Sequence, residues 1–469
     1  MTQAFRTEHD SLGEVQVPAN VYYGVQTQRG LQNWQISGVR EPEVFVRSYV
    51  MIKRAAATVN AALGMLPQDK ASAIEKACDQ VLQENKHLDS FVIDVFQAGA
   101  GTSFNMNVNE VLSNLAAELS GQPMGEYSFV HPNDHVNMAQ STNDSFPTAM
   151  KLSVLTEHPR LVKVLQGTIA TFRTKAKEFD DVLTTARTHL QDAVPIRLGQ
   201  EFEAFADSLQ KDLERLEFAA LELAYLNIGG TAAGTGMNSH SDYAAKMATE
   251  LSRLSGLKLK PGKNLVELSQ NMSDMAFYSA ALRNVALTTT KIVNDLRLLS
   301  SGPTSGLSEI FLPSVQPGSS IMPGKVNPSM LEMLNMVCFQ VIGNDTAVSY
   351  SAQAGQLQLN VMMPGIIFNL SLSQKILTNG LRICTERCFA GIQANKEKCD
   401  HYFNESMGLA TALNTVIGYE KAAKVVKQAM AEKKTIAQVA LSLGYLTESE
   451  IKQYFGANLT RPGFITKKG

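Results

Sequence analysis

A chain of 469 residues is long enough for about three domains of ordinary size and for ample burial of apolar cores. With 44% hydrophobic and 18% charged residues it reads as globular, and a net charge of −2 argues against nucleic acid or an acidic membrane surface as a dominant partner. No apolar run approaches the roughly 20 residues of a membrane span, and the first residues lack the basic-then-apolar order of a secretion signal, so the expected location is the cytoplasm.

Residues 1–40 read as extended and turn-rich, with Asp10 to Pro18 as a short strand or hairpin and Tyr22 to Arg29 as an ordered loop. Apolar spacing then predicts helices over 43–62, 69–83 and 106–120, and further on over 150–178, 329–352 and 365–391. Two stretches decide the architecture. Phe202, Phe205, Leu209, Leu213 and Leu216 follow one another in steps of three and four. Met275, Tyr278, Leu282, Val285, Thr289, Ile292, Leu296 and Leu299 keep heptad spacing, and no proline interrupts either run. Stripes of this length imply long helices packed at shallow angles, as in a bundle, and helices so long need partners to cover them. Several subunits are therefore expected to complete one bundle.

Near Asn395-Lys396-Glu397 the text becomes shorter-paced and more charged, which marks a small C-terminal helical domain. Residues 435–455 have few basic side chains and read as a packed αα-hairpin, not as a DNA-binding element. The expected division is an N-terminal domain over 1–141, a central helical-bundle domain over 142–396 and the small domain over 397–469. The five cysteines, Cys78, Cys338, Cys384, Cys388 and Cys399, are odd in number and widely spaced. Reduced thiols are expected, with no disulfide framework and no metal site.

Three stretches carry more small polar residues than a bundle core needs. The first runs from Gly99 to Glu110 and includes Thr102; it reads either as a loop with a helix cap or as donors aimed at a carboxylate. The second runs from His131 to Asn137 and on through Gln140-Ser141-Thr142-Asn143-Asp144, where so many amides, hydroxyls and imidazoles would be costly to bury without a ligand or a full network. The third is Arg187 to Pro195, with Thr188 and His189 side by side.

A fourth stretch, Gly318-Ser319-Ser320-Ile321-Met322-Pro323-Gly324-Lys325-Val326-Asn327, concentrates the chemistry. Gly318 and Gly324 let backbone N–H groups converge on an anion, and they suit a loop that closes. Lys325 adds a point charge and Asn327 an amide, and the run leads into a helix N-terminus, where a carboxylate is favoured. Ser319 lies among these donors, where an alkoxide costs least. A Gly/Ser-rich surface turn is the plain alternative. On side-chain chemistry alone His189, oriented by Glu332, would serve as well for a base.

The ten-residue run resembles the G-S-x-x-M-x-x-K-x-N signature of the fumarase/aspartase superfamily at every specified position. The other three stretches resemble regions of the same superfamily in the same chain order, so the likeness covers essentially the whole sequence. It implies an all-α fold with a long central helical bundle completed by tetramerisation, a homotetramer whose active sites are shared among subunits, a small dicarboxylate substrate and no cofactor.

Within the superfamily Gly99-Ala100-Gly101-Thr102-Ser103, the Thr at 142 and Gly355-Gln356-Leu357-Gln358-Leu359-Asn360 look like the ammonia-lyase branch. His131-Pro132-Asn133-Asp134 and Leu413 to Tyr419 are similar to hydratase text, and Thr304 and Met363 fit neither. The resemblance implies anti-elimination of ammonia from a dicarboxylate with Ser319 as base; a hydratase, a lyase for an N-substituted substrate and an inactive structural relative are the alternatives. It places Thr102, Ser141, Thr142 and Ser320 around one carboxylate, Thr188, Lys325 and Asn327 around the other, and Asn143 and His189 at the leaving amine.

Overall fold

The computed structural model describes residues 4–461. The outer ends of the expected first and last domains, residues 1–3 and 462–469, lie outside the described residues. The described chain is mostly helical, with four two-stranded sheets. Its residues group into two compact units. One holds residues 1–162, 214–286 and 339–377; the other holds 163–213, 287–338 and 378–469. The longest described helices are Thr142–Glu178, Leu198–Glu222, Ser273–Leu299, Ser329–Gln353 and Met363–Arg387.

The helix stripes read from the sequence are the buried faces. Phe202, Phe205, Leu209, Leu213 and Leu216 are all buried, and so are Met275, Tyr278, Leu282, Val285, Thr289, Ile292 and Leu296. Burying a large side chain of this kind contributes about 1.5–3 kcal/mol, which is why these helices hold without help from intrinsic propensity. All five cysteines are free and buried.

The N-terminal hairpin pairs Phe5–Asp10 with Gly13–Pro18, so it starts five residues before the expected Asp10. The segment from Tyr22 is a loop only as far as Gly24; Val25–Asn33 is a helix. Its apolar pattern is weak, and distant carboxylates stabilise it in place of a local cap. Glu110 accepts from the backbone N–H of Gly24 (2.9 Å), Gln26 (2.8 Å) and Thr27 (3.1 Å) and from the Thr27 hydroxyl (2.6 Å). Glu8 accepts from Val25 N–H at 2.9 Å. These N–H groups are the ones a helix start leaves without intrahelical partners. Burial pushes the Glu110 carboxyl up to about 7, and the Thr27 hydroxyl and the three N–H groups oppose it.

The helix expected over 106–120 is Thr102–Leu119, because a short turn at Gly99–Gly101 launches it early. Gly101 has φ +82°, and a Cβ there would lie 2.0 Å from the Phe146 ring. The stretch around His189 is an antiparallel hairpin of Leu183–Thr188 and Gln191–Arg197. Downstream, Lys396–Glu405, Leu409–Ile417, Tyr419–Glu432, Ile436–Ser442 and Glu448–Tyr454 surround a local core that includes Phe403, Leu413, Val425, Ile436, Val439 and Leu446. Thr435 with Gln438 and Thr447 with Glu450 form capping boxes on Ile436–Ser442 and Glu448–Tyr454.

Replacing Gly101 by Ala forces a Cβ into Phe146 and a side chain into left-handed backbone. Gly101→Ala is expected to lower unfolding free energy by roughly 2–4 kcal/mol, read by urea denaturation.

Candidate active site

In the first unit two helix N-termini are tied together. The Thr102–Leu119 helix begins on Gly101, and the Thr142–Glu178 helix begins after Ser141. Tyr49 Oη joins them, 3.1 Å from Asn105 Oδ1 and 2.9 Å from Ser145 Oγ. Beside it Lys53, wholly buried, donates to Asn105 Oδ1 (2.8 Å), Asn137 Oδ1 (2.9 Å) and Gln140 Oε1 (3.0 Å). Burial pushes the Lys53 ammonium down to about 7, with the Asp144 charge opposing the shift. The expected binding residues Thr102, Ser141, Thr142 and Asn143 thus sit on two helix starts held side by side, where backbone N–H groups and the helix dipole favour an anion.

Asp144 builds the second of these starts. Its Oδ1 accepts from Ser141 N–H at 2.9 Å, and Ser141 Oγ accepts from Asn143 N–H at 3.2 Å, a reciprocal cap. Its Oδ2 accepts from Gly229 N–H (3.0 Å) and Thr231 N–H (2.8 Å). Burial pushes the Asp144 carboxyl up to about 6, opposed by those three N–H groups and by Lys53. Asn143 Nδ2 donates to the Ala232 carbonyl at 2.7 Å.

Much of the polarity that looked available in these stretches is spent inside the fold. Asn105 serves Tyr49 and Lys53. Asn107 accepts from Val92 N–H and donates to Ser90 O. Ser103 Oγ accepts from the Trp34 indole at 2.9 Å, and Glu110 holds the 24–27 segment. Thr102 is the exposed hydroxyl of its stretch. Around Pro132–Val136, His131 Nδ1 accepts from Asn133 N–H (3.3 Å) and Asp134 N–H (3.2 Å), while His135 Nδ1 accepts from His131 N–H at 2.8 Å. The polar network that the second stretch demanded is therefore present without any ligand, supplied largely by Lys53.

The second unit carries the other expected residues. Thr188 and His189 stand at the tip of the Leu183–Arg197 hairpin, where Thr188 pairs with Gln191. The two turn residues, His189 and Leu190, both have φ +57°. A two-residue turn with both φ values positive normally selects Asn and Gly. Strain of about 1–3 kcal/mol at each such residue persists only where the surroundings hold it. Here they do. Arg187 Nη1 pairs with buried Glu309 Oε2 at 2.7 Å and lies over the Tyr402 ring, Thr184 also donates to Glu309, and Thr185 Oγ1 donates to Tyr402 O at 2.9 Å. These contacts tie the hairpin down beside its turn, and its tip presents Thr188 and His189 to solvent.

The 318–327 loop closes on itself. Gly318 N–H donates to Lys325 O at 2.8 Å, and Asn327 Nδ2 donates to Gly318 O at 2.6 Å. A Cβ at Gly318 would lie 2.5 Å from Lys325 O, so glycine is needed there for close approach; Gly324 is needed for its φ of +81°. Inside this ring Ser319 Oγ accepts from Ile321 N–H at 3.2 Å and Met322 N–H at 3.1 Å. Two N–H donors on one hydroxyl oxygen stabilise its anion more than its neutral form, which is the condition for a serine to act as base. Ser320 and Lys325 are exposed, and a concavity of about 460 Å³ lies over Ser319, Met322 and Lys325. Ile321 at 82% and Met322 and Val326 at 48% exposure leave the loop an apolar outer face. Glu332 is half-buried in the first turn of the Ser329–Gln353 helix.

Lys53 and Asp144, which hold these helix starts, are not among the candidate residues that the sequence singles out. A signal existed for Lys53: with Tyr49, Ala56 and Asn60 it shares one buried helix face at spacings of four, three and four. A charge in such a stripe needs partners, and the amide-rich stretch was the place to find them.

A lyase family model matches residues 13–343, and a model for the fumarase C C-terminus matches residues 409–458. The chain belongs to this lyase family, the fumarase/aspartase superfamily. Among its relatives, the aspartate ammonia-lyase of Bacillus subtilis is 44% identical over 465 residues, covering 99% of this chain and 98% of the relative. Among solved structures, the fumarate lyase:delta crystallin of Brucella melitensis bound to cobalt superposes with a TM-score of 0.95 at 48% identity, over 98% of this chain and 100% of that one. The class II fumarase of Schistosoma mansoni superposes at 0.94 with 37% identity, over 98% of this chain and 100% of that one.

The Lys53 ammonium leads to a pH test. Unfolded, the lysine keeps its proton to about 10.5, whereas folded it loses it near 7. Between those values the unfolded state binds more protons, so this group makes stability rise with pH. The stability of the native chain relative to Lys53→Met is expected to rise from pH 7 to pH 10, by up to about 1.4 kcal/mol per pH unit, in urea titrations of both proteins.

Proposed function

We propose that the chain is an aspartate ammonia-lyase, converting L-aspartate reversibly to fumarate and ammonia, with Ser319 as the base. The observation that carries the chemistry is the Ser319 oxygen held under two backbone N–H groups in a loop that also bears Lys325 and Asn327. The full-length likeness to a relative named for that reaction supports the choice of substrate.

The difficulty of the reaction is the proton at Cβ. Ser319, as the alkoxide, takes it and becomes the neutral hydroxyl, and the electron pair left behind spreads onto the adjacent carboxylate, which becomes a doubly charged aci-carboxylate. Thr102, Ser141, Thr142 and Ser320 are assigned to that carboxylate, where hydroxyls and helix-start N–H groups strengthen their bonds as charge moves onto oxygen. Thr188, Lys325 and Asn327 are assigned to the α-carboxylate. Asn143 and His189 are assigned to the ammonium group, which leaves as ammonia with the C–N bonding pair as the double bond forms. Closure of the 318–327 loop excludes water and removes competing donors from Ser319.

Expected outcomes divide the readings. Ser319→Ala should abolish fumarate formation from L-aspartate, followed by ultraviolet absorbance, while leaving succinate binding within about twofold; retained turnover would pass the base role to His189. Fumarate appearing from L-malate alone would instead make the enzyme a hydratase.

The same reading includes a homotetramer with shared sites, acting in the cytoplasm. Support for assembly comes from the Ser329–Gln353 helix. Its exposed positions include Met336, Phe339, Gln340, Gly343, Thr346, Ser349 and Tyr350, with no charged side chain among them, and its Asp345 is turned inward to Ser279 and Arg283. An uncharged, partly aromatic helix face suits contact with another copy of the helix better than contact with water. Phe339→Glu is expected to dissociate the oligomer in sedimentation and to lower activity more than tenfold, because sites shared among subunits need the assembly. For location, no described helix is long and apolar enough to cross a membrane, and all five cysteines are free.

A further inference from the structure

Asn143 has two faces that differ in chemistry, and the fold chooses between them. Its side-chain nitrogen is 2.7 Å from the Ala232 carbonyl. A carbonyl only accepts, so the NH₂ end of the amide must face Ala232 and the oxygen must face away from it. Ala232 is held there by its neighbours. Thr231 stands in left-handed backbone at φ +55° and Gly229 at φ +96°, and their N–H groups both donate to Asp144 Oδ2. The other oxygen of the same carboxylate caps Ser141 N–H. One buried carboxylate therefore fixes both the helix start that carries Asn143 and the turn that orients its amide.

We infer that Asp144, through the 229–232 turn, is a positioning residue for amine recognition: it locks Asn143 with the amide oxygen outward, as an acceptor for the substrate ammonium. The inference rests on the assignment of Asn143 to the amino group. Its consequence for specificity follows from donor counts. An ammonium has only donors, so it needs an acceptor and is repelled by an outward NH₂. A hydroxyl donates and accepts, so it tolerates either face. Succinate has no group at this position and is indifferent to the amide. Loosening the lock should then cost L-aspartate much more than succinate, a split that general damage to the site would not produce.

The experiment uses the full-length tetramer carrying Ser319→Ala, so that L-aspartate is not consumed, and measures L-aspartate and succinate binding by calorimetry. Asp144→Asn keeps the side-chain size but turns one set of acceptor contacts into donor against donor. It is expected to weaken L-aspartate roughly tenfold to a hundredfold with succinate within about twofold. Thr231→Gly keeps the N–H and removes the strain at φ +55°, so it folds while letting the turn relax, and it is expected to shift the same ratio severalfold. Equal weakening of both ligands, or no change in either variant, overturns the inference. Asn143→Ala separates the layers. If it fails to discriminate the two ligands, the assignment of Asn143 falls and takes the inference with it. If it discriminates while Asp144→Asn and Thr231→Gly do not, the positioning role alone is wrong.

Discussion

Lys53 cannot reach water, and everything around it follows from where its charge must go. An isolated ammonium in an apolar helix face would cost many kcal/mol, so three amide oxygens from two different segments converge on it. Those amides belong to the start of the Thr102–Leu119 helix and to the segment that leads into the Thr142–Glu178 helix. Satisfying one buried charge therefore brings two helix N-termini together, with Tyr49 as a second tie. The paired helix starts are what the proposed site uses, since the dipole of each favours an anion.

The sequence shows the scaffold more plainly than the site. A stripe such as Met275 to Leu296 is a statement about burial, and burial is what decides a long helix, so its face can be read directly. Val25–Asn33 could not be read that way, because what holds it is Glu8 and Glu110, both remote in sequence. The hairpin around His189 was hidden for a related reason. Its turn uses His and Leu where the backbone geometry prefers Asn and Gly, so the usual turn signal is missing. The departure falls at His189, a residue the proposed reading assigns to the substrate.

Polar density proved a coarse guide. The stretches at 99–110 and 131–144 are dense in polar residues, yet most of their amides serve Lys53, the backbone and each other. A side chain that is needed to satisfy its neighbours and one that is left for a ligand have the same letter in the sequence. Only the hydrogen-bond network separates Asn105, which is fully occupied, from Asn143, which spends one end and keeps the other. The same distinction holds at 318–327, where Asn327 closes the loop through Gly318 O while Ser319 collects donors.

The two halves of the chemistry make opposite demands, and the chain meets them with different kinds of backbone. In the proposed reaction, charge developing on the carboxylate has to be met by dipoles that do not reorganise, a task assigned to the helix starts anchored by buried Lys53 and Asp144. In the proposed reaction the proton falls to Ser319, on a loop with an apolar outer face that is closed by its own internal hydrogen bonds. The oxygen of the proposed base already accepts two N–H groups, and those donors favour its anion. The stabilisation of its anion is built into the backbone, and does not depend on a neighbouring side chain holding the right protonation state.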